Sequence, residues 1–207
     1  FCLLPFAWML IISFSANADF LSANNFIFTF KNYFDVLTYK SAHLIDYLRN
    51  SLLISLTASV AATLFAGLSA YSISRIKFKG KNLIPFLVLG ISMFPQISIV
   101  GYLFEMMIWL GWINKYPALI FPYITLTLPL ALWIMISYFE QISKELDEAA
   151  LADGATRLQV FYKIIIPVSL PGLVTSFLLT FIFCFNEFLF SLMLTIDHNA
   201  RTIPVGI

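Results

Sequence analysis

Charge is what this sequence has least of. Only 11% of its 207 residues are Asp, Glu, Lys or Arg, against about 25% in an average soluble domain. So few charges cannot clothe the surface of a water-soluble globule, which excludes that class. Twelve basic and eleven acidic residues leave a net charge of +1, so no basic footprint for a nucleic acid exists. Cysteine and histidine are scarce too, with two of each. Cys2 and Cys184 sit in apolar runs without metal-ligand spacing and read as small apolar residues. His43 and His198 are isolated in the sequence and read as ordinary polar-loop residues rather than metal ligands. No glycine-rich phosphate loop, no His-x-x-x-His pair and no Ser/His/Asp set occurs, so the residues offer no catalytic site and no metal site. Intrinsic disorder is excluded as well, because it requires low hydrophobicity and high net charge.

What is present is apolar. Hydrophobic residues make up 60% of the chain and the mean hydropathy is +0.90. Only helices or closed barrels satisfy their backbone in lipid, and these runs are too long and uniform for the alternating strands of a barrel. The fold class expected is therefore all-α, a polytopic bundle of transmembrane helices in one domain over residues 1–207. Phe1–Ile12 is apolar but shorter than the roughly 20 residues of a full span. It lacks the basic leader and nearby cleavage pattern of a signal peptide, and reads as the tail of a first, partial helix. Ser13–Asp46 is a mixed, polar connection with Asn24, Asn25, Lys31 and Lys40. Four full spans follow: Asn50–Ser74, Asn82–Phe104 continuing to about Leu110, Tyr116–Phe139, and Ile164–Asn186 continuing to about Ile196.

The link Arg75-Ile76-Lys77-Phe78-Lys79-Gly80-Lys81 carries four basic residues and no acid, which places it on the cytoplasmic side. Alternation then puts Ser13–Asp46 and Gly111–Pro117 outside and Glu140–Lys163 inside. Within the first full span, Ser55, Ser59, Thr63 and Gly67 recur every fourth residue, as do Ala58, Ala62, Ala66 and Ala70. Two adjacent small-residue stripes suit a helix packed closely by its neighbours.

The dense charged island at Glu140–Lys163 breaks the apolar pattern. Its sequence fits two short helices. The first begins at Ser143 as N-cap, has Glu145, Asp147 and Glu148 near its positive end, and stops at Gly154. The second begins at Thr156, where Thr156-x-x-Gln159 has capping-box spacing. Pro167 and Pro171 mark the return to the membrane. An amphipathic helix lying on a membrane surface is usually basic on its polar face. This one is acidic and exposes the small residues Ala149, Ala150 and Ala152, which favours docking to a cytoplasmic protein.

Glu148-Ala149-Ala150, three residues, Gly154, nine residues, then Ile164-x-Ile166-Pro167 resembles the signature loop of binding-protein-dependent ABC importer permeases. Ile166 stands where that pattern usually has leucine. Leu48-Arg49-Asn50-Ser51-Leu52, Pro95 and Asn186-Glu187-Phe188 extend the resemblance to the carbohydrate-uptake subfamily. The resemblance implies a permease subunit of an ATP-driven importer of a sugar or oligosaccharide, in the bacterial plasma (inner) membrane. It implies as partners a second permease subunit, a cytoplasmic ATPase dimer and an extracytoplasmic solute-binding protein, with no cofactor on this chain and ATP on the ATPase.

By the same resemblance, the loop at about 140–167 couples the ATPase to the membrane helices. Its motif residues are Glu148, Ala149, Ala150, Asp153, Gly154, Arg157 and Pro167. Asn186 and Glu187 are candidates for the translocation path. An acid inside a span faces either a cavity or a hydrogen-bonding neighbour, and for Glu187 both readings stand open. The family pattern also implies a sixth helix beyond the five that are visible. Two alternatives remain from the residues alone: an ion-coupled secondary transporter, for which Glu105 and Glu187 are the intramembrane acids, and a membrane assembly subunit without transport.

Overall fold

The computed structural model describes residues 3–16, 27–38, 43–81 and 83–206. Cys2, Asn24, Asn25, Lys40 and Asn82 lie outside the described residues. Before the first long helix come α1, Leu4–Ser13, and α2, Lys31–Thr38. Then follow α3, Leu44–Arg75; α4, Leu83–Ser92; α5, Gln96–Trp109; and α6, Pro117–Gln141. The charged island holds α7, Lys144–Ala152, and α8, Arg157–Val160. A π-helical turn over Phe161–Ile165 leads into α9, Ile166–Val168. The chain continues with α10, Leu170–Asn186; α11, Leu189–Leu194; and α12, Ile203–Gly206. Among the described residues all regular elements are helical, beside one isolated bridge between Ser15 and Phe28.

Two helices, α3 and α6, are each unbroken, long and apolar enough to cross a bilayer. They pack side by side, and α10 lies against both. The small residues of α3 explain that closeness. Ala58, Ala62, Ala66, Ala70, Ser55, Ser59, Thr63 and Gly67 are all buried, while Leu56, Val60, Leu64 and Leu68 on the opposite side are exposed. A stripe of small side chains lets backbones approach, and dispersion contacts accumulate along the whole length.

The other two expected spans are bent pairs rather than single helices. The helices α4 and α5 meet at 85°. The break falls at Pro95, an extended residue (φ −62°, ψ 121°) that begins α5 and has no N–H to continue α4. Likewise the Ile164–Asn186 run is not one helix. The segment Arg157–Val168 turns by 75° into α10 at Ser169. Pro167 and Pro171, four residues apart, each remove a donor there, and the preceding turn widens to π geometry. Pro122 and Pro129, by contrast, lie inside α6 without ending it. The last run breaks once more at Glu187–Phe188, between α10 and α11.

Two apolar clusters fill the interior at opposite ends of α3. One joins Ala66, Ala70 and Tyr71 of α3 to Met135 and Phe139 of α6 and to Val160, Phe161 and Ile165 at the end of the charged island and just beyond it. The other joins Ile54 and Ala58 to Leu119 and Tyr123 of α6, Met107 of α5 and Phe190 and Leu194 of α11. Large apolar side chains of α1, α4 and α5 point outward, among them Trp8, Phe86, Ile97 and Trp109.

Candidate functional site

The charged island is a rigid two-helix unit, built cap by cap. The Ser143 hydroxyl accepts the Glu145 N–H at 3.2 Å and starts α7. At the other end the Gly154 N–H donates to the Leu151 carbonyl, at 3.1 Å, and the Ala155 N–H to the Ala150 carbonyl, at 3.0 Å. That pair of bonds is the Schellman closure, and it requires the residue after the cap to be left-handed. Gly154 has φ +88°, and a Cβ placed there would meet nothing within 4 Å. The demand for glycine is therefore one of backbone conformation, not of space. Two residues on, Thr156 and Gln159 form the full capping box, with bonds of 3.3 and 2.7 Å. The turn between α7 and α8 thus leaves little backbone freedom.

Within this unit the motif residues divide by direction. Glu148, Ala149, Asp153, Gly154, Arg157 and Pro167 are exposed. Ala150 is half-buried and packs with Ala155 against the apolar cluster of α3 and α6. The sequence grouped Ala149, Ala150 and Ala152 as one exposed face. The structure corrects this: Ala149 and Ala152 face outward, and Ala150 seats the unit on the membrane helices. Glu140 and Gln141 belong to the end of α6, and Pro167 lies within α9 rather than at its boundary.

A contact that sequence reasoning did not single out ties the unit down. Arg75, the last residue of α3, places its Nε 3.0 Å from Asp147 Oδ2 of α7, with the two side chains only 3% and 11% exposed. Its Nη2 also donates to the Ile142 carbonyl, at 2.9 Å. Burial pushes the Asp147 carboxyl above its usual range, while the Arg75 and Arg157 guanidiniums pull it back part of the way. Arg75 Nη1 and Asp147 Oδ1 have no hydrogen-bond partner among the described residues. Nearby, Tyr71 lies 4.9 Å from the Phe161 ring, centre to centre. In the sequence Arg75 looked like one of four basic residues marking the cytoplasmic side. The signal that could have found it was Asp147, an acid on the inward side of an amphipathic helix that needs a buried partner.

Glu187 is buried. Its Oε2 accepts the Tyr123 hydroxyl at 2.7 Å, and its carboxylate also accepts the Phe190 and Ser191 N–H groups, at 2.9 and 3.3 Å. It thus closes the break between α10 and α11 and ties that break to α6. Asn186 is exposed, and its Nδ2 donates to the Ile182 carbonyl at 2.8 Å. The two neighbours face different surroundings.

At the far end of α3, Asn50 and Ser51 fasten the segment after α11. Asn50 Nδ2 donates to the His198 and Arg201 carbonyls, at 2.8 and 3.0 Å, and its Oδ1 accepts the Tyr116 hydroxyl at 2.6 Å. The Ser51 hydroxyl accepts the Ile203 N–H at 2.8 Å. Asn114 accepts the Ile196 and Asp197 N–H groups and donates to the Asp197 carboxylate at 2.8 Å. That last bond holds the Asp197 carboxyl below its usual range.

Comparison with known proteins gives a consistent result. The profile of the family described as "binding-protein-dependent transport system inner membrane component" matches residues 59–204. The chain is 50% identical to the trehalose/maltose transport system permease protein MalG of Thermococcus litoralis, over 100% of this chain and 75% of that protein. It is 37% identical to the trehalose transport system permease protein SugB of Mycobacterium tuberculosis, over 100% of this chain and 76% of that protein. Among solved structures, a chain of a bacterial ABC transporter involved in the import of the acidic polysaccharide alginate superposes with a TM-score of 0.81. That chain is 24% identical, over 99% of this chain and 71% of its own length.

Proposed function

This chain belongs to the family of binding-protein-dependent transport system inner membrane components, and from that premise we infer that it forms half of the pore of an ATP-driven sugar importer. Permeases of this family work in the membrane while ATP is hydrolysed on a separate subunit. The substrate class proposed is a small glucoside such as trehalose or maltose, because relatives named for those disaccharides align over the full length of this chain. The proposed partners are a second permease, a cytoplasmic ATPase dimer carrying the ATP, and an extracytoplasmic solute-binding protein that delivers the sugar.

The observation that supports coupling is the rigid α7–α8 unit. Its outer surface offers Glu148, Ala149, Ala152 and Asp153 to a partner. Its inner surface is joined to α3 through Asp147–Arg75 and to the α3–α6 core through Ala150 and Phe161. A push on α7 therefore reaches the end of a 32-residue helix without passing through a soft linker. Glu187 serves in this reading as the residue that fixes the break after α10, beside the path. Cytoplasmic placement of Arg75–Lys81 and of the charged island follows from the four basic residues of that link.

The test is uptake of labelled disaccharide into vesicles that hold the assembled complex, with binding protein outside and ATP inside. Uptake that requires internal ATP and survives a proton ionophore supports the proposal. Uptake that runs without ATP and collapses with the ionophore would establish the ion-coupled alternative instead.

A further inference from the structure

We propose that His43, Asp46 and His198 form a binding site for a divalent transition-metal ion, of which zinc is the best match, at the end of α3 opposite Arg75. The two histidines are 155 positions apart in the sequence (198 − 43) and had no visible connection there. The fold brings their rings together, with centroids 4.0 Å apart and planes within 9° of parallel. His43 Nδ1 lies 3.0 Å from Asp46 Oδ2. One ligating atom from each of the three residues lies within 4.8 Å of the other two. In a tetrahedral zinc site with Zn–N of about 2.0–2.1 Å, neighbouring ligand atoms stand about 3.3 Å apart. His43 Nδ1 and Asp46 Oδ2 already stand near that spacing, and binding requires the two imidazoles to turn out of their parallel stack so that both in-plane nitrogen lone pairs meet one ion.

The chemistry of the set favours zinc. Two imidazoles and one carboxylate are the mixed donors that zinc accepts, with a fourth position left for water. Calcium and magnesium prefer all-oxygen shells. The site is also held in place by its surroundings. Asn50 grips the His198 carbonyl, and Asn114 binds the backbone at Ile196 and Asp197 on its other side. His43 sits in the left-handed region at φ 46°, a conformation that costs a non-glycine residue free energy and is held by its surroundings. From there its Nδ1 reaches the carboxylate three residues on, in the first turn of α3. The side chains of His43 and Asp46 are 35% and 47% exposed, so an ion reaches them from solvent. An ion bound here would staple the start of α3 to the segment after α11.

Zinc binding is measured on the detergent-solubilised full chain, carrying an affinity tag free of histidine, by competition with a chromogenic chelator. The parent protein is expected to hold one Zn2+ per chain. His43→Asn, which tolerates the left-handed backbone, and His198→Asn should each weaken binding by more than the about 10–100-fold typical of losing an outer-shell group. Co2+ offers a second readout. In the parent it should give the visible absorption of a four-coordinate site, and His198→Cys should keep binding while adding a thiolate-to-metal band. Failure of the parent to bind zinc at micromolar free concentration would overturn the site. So would unchanged stoichiometry and affinity in the variant carrying both asparagines.

Discussion

Arg75 and Asp147 show how much of the α7–α8 unit rests on single side chains. Removing one partner of a buried ion pair leaves the other charge without compensation and costs about 3–5 kcal/mol, whereas replacing both with apolar groups is often neutral. Asp147→Leu or Arg75→Met should therefore lower the unfolding temperature of the purified chain clearly, and the two together should recover most of the loss. Thermal unfolding of the four proteins closes the cycle. Strictly additive losses would show that the two side chains do not act as a pair. Gly154 acts by conformation alone, since space around it is open. Forcing a β-branched residue to φ +88° costs on the order of 1–3 kcal/mol. Gly154→Val should leave assembly with the ATPase largely intact and lower the sugar moved per ATP hydrolysed. Gly154→Asn should do so less, and equal ratios for parent, Val and Asn variants would remove the need for a left-handed residue.

Among the elements, α7 faces two ways, and that division is itself testable. Ala149→Trp adds bulk on the exposed face, so it should impair ATPase binding while the chain keeps its stability. Ala150→Trp adds bulk against the α3–α6 core, where overpacking costs about 1–3 kcal/mol, so it should lower stability first. Pull-down of the ATPase together with thermal unfolding separates the two, and identical behaviour would mean that α7 has no such polarity. The caps of this unit are legible in the amino-acid sequence alone. Ser143, Gly154, Thr156 and Gln159 have local side-chain or backbone signatures, and each acts within a few residues of its own position. The bends at Pro95 and Ser169 are not legible there. Prolines punctuate several of the apolar runs, and Pro122 and Pro129 leave α6 unbroken. Whether a missing donor breaks a helix depends on what its neighbours supply.

The architecture of the whole molecule is legible wherever it rests on hydropathy and small-residue spacing. The stripes of α3 predict its central position, and the spaced motif around Glu148 and Gly154 predicts the family. What the sequence conceals are contacts between residues far apart along the chain. Arg75 with Asp147, Asn50 with His198, and His43 with His198 join segments whose approach depends on the packing of α3, α6 and α10. No local pattern marks such pairs. Together they fasten both ends of α3, one to the charged island and the other to the segment after α11. This long helix thus spans from the proposed ATPase contact to the opposite side of the membrane domain.

The proposed coupling requires the outer face of α7 to be covered by the ATPase. The most direct measurement uses a variant without Cys2 and Cys184 that carries Ala149→Cys. Its maleimide labelling rate is compared in the permease pair alone and in the complex with the ATPase. Labelling at position 149 should be fast in the pair and strongly suppressed in the complex, while a cysteine replacing Asn199 at the other end of the molecule reacts equally in both. Equal rates at position 149 with and without the bound ATPase would show that α7 is not the docking surface.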